Sequence, residues 1–257
     1  MPGEVAIPVN VLYSFLLVLT RVAGVFTFLP LPGLKAGPDI ARIVFSIATT
    51  LALFPKWPHF AAAPAGLGQF LGWLLMELVL GVAIGLGVAF LIEIIILAAQ
   101  SISLQAGFSY ASIVDPTTNA DSTVLSLAAQ LIAGLLFFTA GLDGQILKTL
   151  AASLDSQPPG AVLITRPHAE ALLMTGAGVF TTGLRLALPV ITLLLLLDLS
   201  VGLLGRLNSQ LQVLSLALPL KMVCALAVLS WTVLLFPRVF SQSASVMFSA
   251  LRQVLSP

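Results

Sequence analysis

Single charged residues interrupt most of the long apolar segments of this chain, and this restricts its possible folds more than any other feature. Two apolar segments, 94–114 and 122–142, carry no charge and are each about 21 residues long, enough for a helix to cross a bilayer. The charges inside the other segments are Arg21, Glu77, Glu93, Arg185, Asp198 and Lys221. A charge at the centre of a lipid-facing helix costs about 2.5–3.5 kcal/mol on insertion scales. These helices are therefore expected to line a wet path or to pack against other protein.

The composition is that of an integral membrane protein or a subunit of a hydrophobic assembly. Hydrophobic residues make up 59% of the 257 residues and charged residues only 8%, whereas soluble domains carry about 25% charged residues. With a net charge of +1, the chain is not expected to bind nucleic acid. The fold class predicted is all-α: a polytopic membrane protein with broken hydrophobic helices and a C-terminal helical hairpin.

Hydrophobic runs and turn residues divide the chain into helices. The runs predict helices over 5–29, 40–54, 69–105, 123–142, 169–204 and 211–236. The last two are joined by the short polar link 205–210, which suits a helical hairpin, and residues 238–257 are an amphipathic helix or a frayed end. The run over 69–105 contains four glycines and is expected to be two helices or one broken helix. The polar stretch 143–168, centred on Pro158-Pro159-Gly160, is predicted as a loop.

Catalytic and metal-binding patterns are missing from the sequence. It contains no HExxH, GxSxG or Walker A motif. His59 and His168 lie beside prolines and are expected in surface loops. No enzyme activity, metal or cofactor is therefore predicted.

A GxxxG motif, Gly81 to Gly85, lies one helical turn after Glu77. Glycines four residues apart form a flat stripe that lets another backbone approach closely. Two interpretations are open: packing inside the chain, or contact with a neighbouring subunit to which Glu77 is paired. Glu93 and Gln100, seven residues apart, share another helix face and could line a wet surface or hydrogen-bond to a neighbour. If the helix is continuous, Glu77 and Glu93 lie on nearly opposite faces, which argues against a simple proton relay.

The segment 107–122 combines small, aromatic and β-branched residues with the Asp115-Pro116 turn. Composition alone favours a connection outside the membrane. The alternative is a segment folded back into a protein cavity, where non-helical backbone is tolerated.

Six segments, taken in order, carry a family resemblance that covers nearly the whole chain: residues 21–30, 77–85, 105–116, 137–144, 183–190 and 202–221. They resemble the family of the flagellar biosynthetic protein FliR, an export-gate subunit of type III secretion with a T-type counterpart in injectisomes. One departure follows Arg206, where the family often has Pro-Gln-Leu-Asn-Val-Phe and this chain has Ser-Gln-Leu-Gln-Val-Leu over 209–214.

The resemblance implies a place in a hetero-oligomer of the bacterial inner membrane, within the flagellar basal body. The partners it implies are FliP-like and FliQ-like membrane subunits and other export-apparatus membrane proteins, with unfolded flagellar proteins passing through the centre. It divides the chain into a FliP-like part, residues 1–168, and a FliQ-like hairpin and tail, residues 169–257. It also implies that residues 107–122 close the channel, and the closure residues expected are Phe108, Tyr110, Ile113, Val114, Asp115 and Pro116. Polar contacts between subunits are expected at Glu93, Gln100, Arg185, Asp198, Arg206 and Lys221.

Two other functions remain open from the sequence. The first is the export gate of an injectisome, a near relative that sequence alone barely separates from the flagellar gate. The second is a stand-alone secondary transporter, which would need an inverted repeat and a substrate site at the bilayer midplane; neither is evident in the sequence.

Overall fold

The computed structural model describes residues 8–29, 39–58, 64–108, 124–161, 166–207 and 213–255, and within these ranges the chain is helical and contains no strand. The helices are α1 (Val9–Phe28), α2 (Asp39–Ala52), α3 (Leu67–Ala106), α4 (Val124–Thr139), α5 (Leu142–Ser156), α6 (Arg166–Leu207), α7 (Val213–Thr232) and α8 (Phe236–Leu255). Short 3-10 turns follow α2 at Phe54–Lys56 and α7 at Val233–Leu235. Four helical stretches are long and apolar enough to cross a membrane, or five if α4 and α5 form one bent span. The predicted all-α, polytopic fold is confirmed.

The first two helices lie side by side and run in opposite directions. The ring of Phe26, near the end of α1, stacks on that of Phe45 in α2 at 6.3 Å, and Phe15, earlier in α1, meets Trp57 beyond α2 at 5.5 Å. One face of α1 is buried, because Leu17, Val18, Val22 and Val25 recur at helical spacing.

Helix α3 is a single helix of 40 residues, so the predicted break is wrong. Glycine lowers helix propensity by only about 1 kcal/mol relative to alanine, and the segment contains no proline. Its glycines at 81, 85 and 87 are buried against other helices, and this packing offsets their low propensity. Since α3 is continuous, Glu77 and Glu93 lie on nearly opposite faces, as the helical period requires.

The loop predicted over 143–168 is wrong in its first half, which forms α5. Leu142, Ile146, Leu150 and Leu154 recur every four residues and are all buried, and this apolar face outweighs the polar composition of the segment. Helix α4 ends at Thr139, and α5 starts at an angle of 63° to it. Gly141 lies at the bend with φ of 65°, a left-handed conformation that glycine adopts without strain.

The last three helices account for the C-terminal part of the chain. Pro189 lies inside α6 and Pro219 inside α7, and each helix continues on both sides of its proline. Of the two alternatives for the tail, the amphipathic helix is confirmed: α8 buries Phe240, Met247 and Leu251 and exposes Arg238 on its other face. His168, expected in a loop, lies in the first turn of α6; His59 is outside the described residues.

The chain forms two compact units. Unit 1 takes its residues from Met1–Phe90, Phe138–Gly176 and Ser245–Pro257, and unit 2 from Leu91–Phe137 and Ala177–Ala244. Unit 1 thus combines the start, the middle and the end of the chain. The predicted boundary at residue 168 rests on resemblance to other subunits and not on these compact units, and it stays a prediction.

Candidate functional site

A buried ion pair joins α1 to α3 in unit 1. The Nε atom of Arg21 donates to Oε2 of Glu77 at 2.6 Å, and both side chains have 0% of their surface exposed. Two of the charges that interrupt apolar segments therefore neutralise each other inside the chain. Pairing of Glu77 with a neighbouring subunit was one alternative from the sequence; the structure pairs it with Arg21 of the same chain.

The remaining guanidinium nitrogens of Arg21 bind the C-terminal end of α5. Nη1 donates to the Ser153 carbonyl at 2.7 Å and to the Ser153 hydroxyl at 3.1 Å, and Nη2 donates to the Gln157 carbonyl at 2.8 Å. The last carbonyls of a helix lack partners within the helix and carry partial negative charge. Arg21 therefore caps α5 from a different helix.

The second carboxylate oxygen of Glu77 binds a turn that follows α5. The backbone N–H of Gly160 donates to Oε1 of Glu77 at 3.0 Å. The turn is closed by a hydrogen bond of 2.9 Å from the Ala161 N–H to the Pro158 carbonyl, and Gly160 has φ of 88°. Proline at the second position and a left-handed glycine at the third are the signature of a type II turn. The Pro-Pro-Gly sequence thus places an N–H donor where Glu77 needs one.

Gln157 extends this network to α8. Its side-chain Nε2 donates to the carbonyl of Val254 at 3.1 Å, near the end of that helix. Hydrogen bonds from one cluster thus reach α1, α3, α5 and α8. We call the set Arg21, Glu77, Ser153, Gln157 and Gly160 the buried polar cluster.

Close contact between α1 and α3 brings the ion pair together, and glycines permit it. A Cβ atom on Gly85 would lie 2.7 Å from the Val25 carbonyl oxygen, one on Gly24 would lie 2.9 Å from the Val82 nitrogen, and one on Gly81 would overlap the Arg21 carbonyl. No side chain fits at these positions without moving backbone. The GxxxG motif of α3 thus packs against α1 of the same chain, which is the internal alternative; contact of these glycines with another subunit stays a prediction.

A second polar cluster lies in unit 2 and links α3, α6 and α7. Asp198 accepts a hydrogen bond of 3.1 Å from Nε2 of Gln105 and forms an ion pair with Lys221. The side chains of Asp198 and Lys221 are 39% and 16% exposed. Asp198 and Lys221 lie at similar distances from the α6–α7 link, as expected for a hairpin; the link itself, residues 208–212, is outside the described residues.

The other residues predicted as polar contacts are exposed. Glu93, Gln100, Arg185 and Arg206 lie on the surface of their helices, and no ion pair or side-chain hydrogen bond joins any of them to a described residue. Their contacts with other subunits remain a prediction.

Of the predicted closure residues, only Phe108 is described. The N–H of Phe108 donates to the Ser103 carbonyl at 3.0 Å, and that of Gly107 to the Leu104 carbonyl at 3.3 Å. With Gly107 at φ of 85°, this pair of bonds is a Schellman motif, so α3 ends just before the predicted loop. Tyr110, Ile113, Val114, Asp115 and Pro116 lie outside the described residues.

Ser153, Gln157 and Gly160 were not among the site residues predicted from the sequence, and Arg21 was not predicted to pair with Glu77. A signal for the pair was present, since two lone charges of opposite sign interrupt two apolar helices. The cap on α5 had no signal, because it uses backbone carbonyls that every residue carries. Within the described ranges, no group of three or more His, Cys, Asp or Glu side chains could hold a metal ion.

The chain is similar to known bacterial export proteins. Residues 12–247 match the sequence profile of the bacterial export proteins, family 1. The chain is 29% identical over 251 residues to the flagellar biosynthetic protein FliR of Pectobacterium carotovorum subsp. carotovorum, covering 96% of this chain and 95% of that protein. It is 28% identical over 239 residues to FliR of Escherichia coli K12, covering 93% and 91%. It is 27% identical over 224 residues to FliR of Bacillus subtilis 168, covering 84% of this chain and 84% of that protein.

Proposed function

We propose a function from one premise: this chain belongs to the bacterial export proteins, family 1. It is a component of the flagellar type III export apparatus. The observation that carries the proposal is the extent of the match, residues 12–247, which takes in all but the ends of the chain. The flagellar rather than the injectisome system is favoured because the relatives compared above are flagellar biosynthetic proteins.

Within that apparatus, the chain completes a channel together with FliP-like and FliQ-like subunits in the bacterial inner membrane, at the flagellar basal body, and unfolded flagellar proteins pass through it. Two features of the structure support this role. First, α6 and α7 expose many large apolar side chains, such as Leu196, Leu199 and Val223, which need protein or lipid to cover them. Second, Glu93 and Arg185 are charges on long apolar helices without a described partner.

Residues 107–122 serve as the closure segment of the channel in this proposal. The Schellman end of α3 at Gly107 supports it, because that motif stops the helix at the first residue of the segment. Aromatic and β-branched side chains such as Tyr110 and Ile113 provide the apolar surface that would seal a narrow opening.

Deleting residues 111–119 is expected to leave assembly intact and to make the membrane leaky to small ions. The deletion removes seal-forming side chains but none of the contacts of the two polar clusters. Ion conductance of cells or proteoliposomes measures the leak, and co-purification with the partner subunits measures assembly. A nine-residue Gly/Ser segment at the same place is the control for loop length and should leak as well. Unchanged conductance in both variants would contradict the assignment of residues 107–122 as the closure segment.

Co-expression with the FliP-like and FliQ-like proteins of the same bacterium tests the proposed function. We expect the tagged chain to co-purify with both in detergent, and native mass spectrometry to give one defined hetero-oligomer. Deletion of the gene should abolish export of flagellar proteins and motility, and the plasmid-borne gene should restore both. A chain that purifies without partners and alone moves a small solute into lipid vesicles would contradict the proposal and favour a transporter.

A further inference from the structure

Of the six charges that interrupt the apolar helices, four have ion-pair partners among the described residues and two do not. Arg21 pairs with Glu77, and Asp198 pairs with Lys221. Glu93 on α3 and Arg185 on α6 are exposed and form no ion pair or hydrogen bond with any described residue. This fold thus satisfies four of its helix-interior charges and leaves two facing outward.

Glu93 belongs to a narrow exposed stripe on a helix that is otherwise covered. Between Leu80 and Ala106, the exposed residues of α3 are Glu93, Gln100 and Leu104 alone. Their spacings of seven and four residues place them on one face, over about three helical turns. We call these three residues the Glu93 stripe.

The surroundings of the stripe fit a single helix better than a broad wet surface. Ile92, Ile94 and Ile96 around Glu93 are each at most 5% exposed, so the chain itself covers the helix beside it. Leu97, one turn after Glu93 on the same face, is half-buried, so the open surface is narrow. It offers an acid, an amide and a leucine in line, a combination suited to a neighbouring helix, since polar side chains that hydrogen-bond across helices hold apolar helices together.

We propose that the Glu93 stripe is the contact surface for a membrane helix of another export-apparatus subunit, and that this helix places a lysine or arginine opposite Glu93. The occupant is chosen by charge complementarity: a carboxylate without a partner on an apolar helix is stabilised by a cation when both are withdrawn from water. The amide of Gln100 supplies a donor and an acceptor two turns further along, and Leu104 continues the contact with an apolar side chain. This inference rests on the proposed function, because it takes its partner from the same apparatus.

Charge reversal at Glu93 tests the contact in the co-expressed complex. Glu93→Lys is expected to lower the amount of co-purified partner subunit about tenfold or more, because the introduced ammonium group meets the partner's cation. Glu93→Gln should lower it less. Glu170→Lys is the matched control: Glu170 is 52% exposed and pairs with Arg166 one turn earlier, so this change should leave co-purification unchanged. Changing the facing lysine or arginine of the partner to glutamate should restore binding to Glu93→Lys.

A photoreactive residue tests the same contact without altering Glu93. Leu104 is 69% exposed in the stripe and Val246 is 64% exposed on α8. A photoreactive amino acid at Leu104 should cross-link to a partner subunit, and one at Val246 should do so much less. This second measurement decides the case if Glu93→Lys fails to accumulate.

Three results would overturn the inference. The first is full co-purification of Glu93→Lys, with or without a change in ion conductance, which would make the stripe a wet surface. The second is rescue of Glu93→Lys by Arg185→Glu, which would make the two charges partners within one chain. The third is no cross-link at Leu104 in an intact complex. Failure of the unaltered chain to bind any partner would instead contradict the proposed function, so the two failures are distinguishable.

Discussion

Replacing Arg21 by alanine is expected to destabilise the protein by about 3–5 kcal/mol, the range for removing one partner of a buried ion pair. The change leaves the Glu77 carboxylate buried without its cation, and it removes the cap from the Ser153 and Gln157 carbonyls. For a chain of this size, the loss corresponds to roughly 6–20 °C in the apparent Tm. Thermal unfolding of the detergent-solubilised protein, followed by size-exclusion chromatography after heating, measures it.

The controls for Arg21→Ala separate the pair from its surroundings. Arg166→Ala removes an arginine whose side chain is 90% exposed, and its Tm should stay close to that of the unaltered protein. The double variant Arg21→Met, Glu77→Leu removes both charges and keeps the volume, so it should recover part of the loss. Recovery stays partial, because the Gly160 N–H and the Gln157 carbonyl still lose the partners that Glu77 and Arg21 supplied. An Arg21→Ala protein with an unchanged Tm would refute the stabilising role of the buried polar cluster.

Gly81→Ala is expected to destabilise the protein by about 3 kcal/mol or more, at or above the upper end of the usual range for overpacking. The added methyl group overlaps the Arg21 carbonyl, which is backbone and cannot rotate away. Helix α1 must then move from α3, and the distance between Arg21 and Glu77 grows with it. The same heating experiment applies, and the loss should be smaller in the background Arg21→Met, Glu77→Leu, where no ion pair remains to be disturbed.

Gly72→Ala is the matched control, because Gly72 lies on the same helix and nothing lies within 4 Å of an added Cβ atom there. Alanine is a better helix former than glycine by about 1 kcal/mol, so Gly72→Ala should raise the Tm slightly. The same substitution on one helix is thus expected to have opposite signs at two positions. Equal effects at 72 and 81 would mean that close packing against α1 does not decide the role of Gly81.

The sequence was sufficient for the features that depend on composition and local turn chemistry. Low charge and long apolar runs predicted the helical membrane protein, and the amphipathic pattern after Arg238 gave α8 as one of two alternatives. Composition led to the wrong prediction of a loop at α5. The polar residues of this segment outweighed the apolar face formed by Leu142, Ile146 and Leu150, which are spaced four residues apart. The glycines of α3 led to the wrong prediction of a helix break. In the structure Gly81 and Gly85 pack against α1, and the helix is continuous.

The candidate site was predictable only in part, because its partners are far apart in the chain. The glycine stripe of α3 was predictable from the spacing of its glycines, but the surface that it contacts was not. The sequence of one helix does not specify which other helix packs against it. Residues 21, 77 and 153–160 meet only in the folded chain. Without a fold, nothing selects Arg21 over Arg185 as the partner of Glu77.

The composition of unit 1 also sets the order in which the protein can be completed during synthesis. Its middle and last parts are separated by most of α6, by α7 and by the start of α8, and Gln157 in the middle part binds the carbonyl of Val254 in the last part. A nascent chain that has emerged only as far as α4 already contains Arg21 and Glu77 but not the carbonyls of Ser153 and Gln157. The hydrogen bonds of the guanidinium group therefore form only after α5 has been synthesised, and α8 joins the unit only after α6 and α7 have been synthesised.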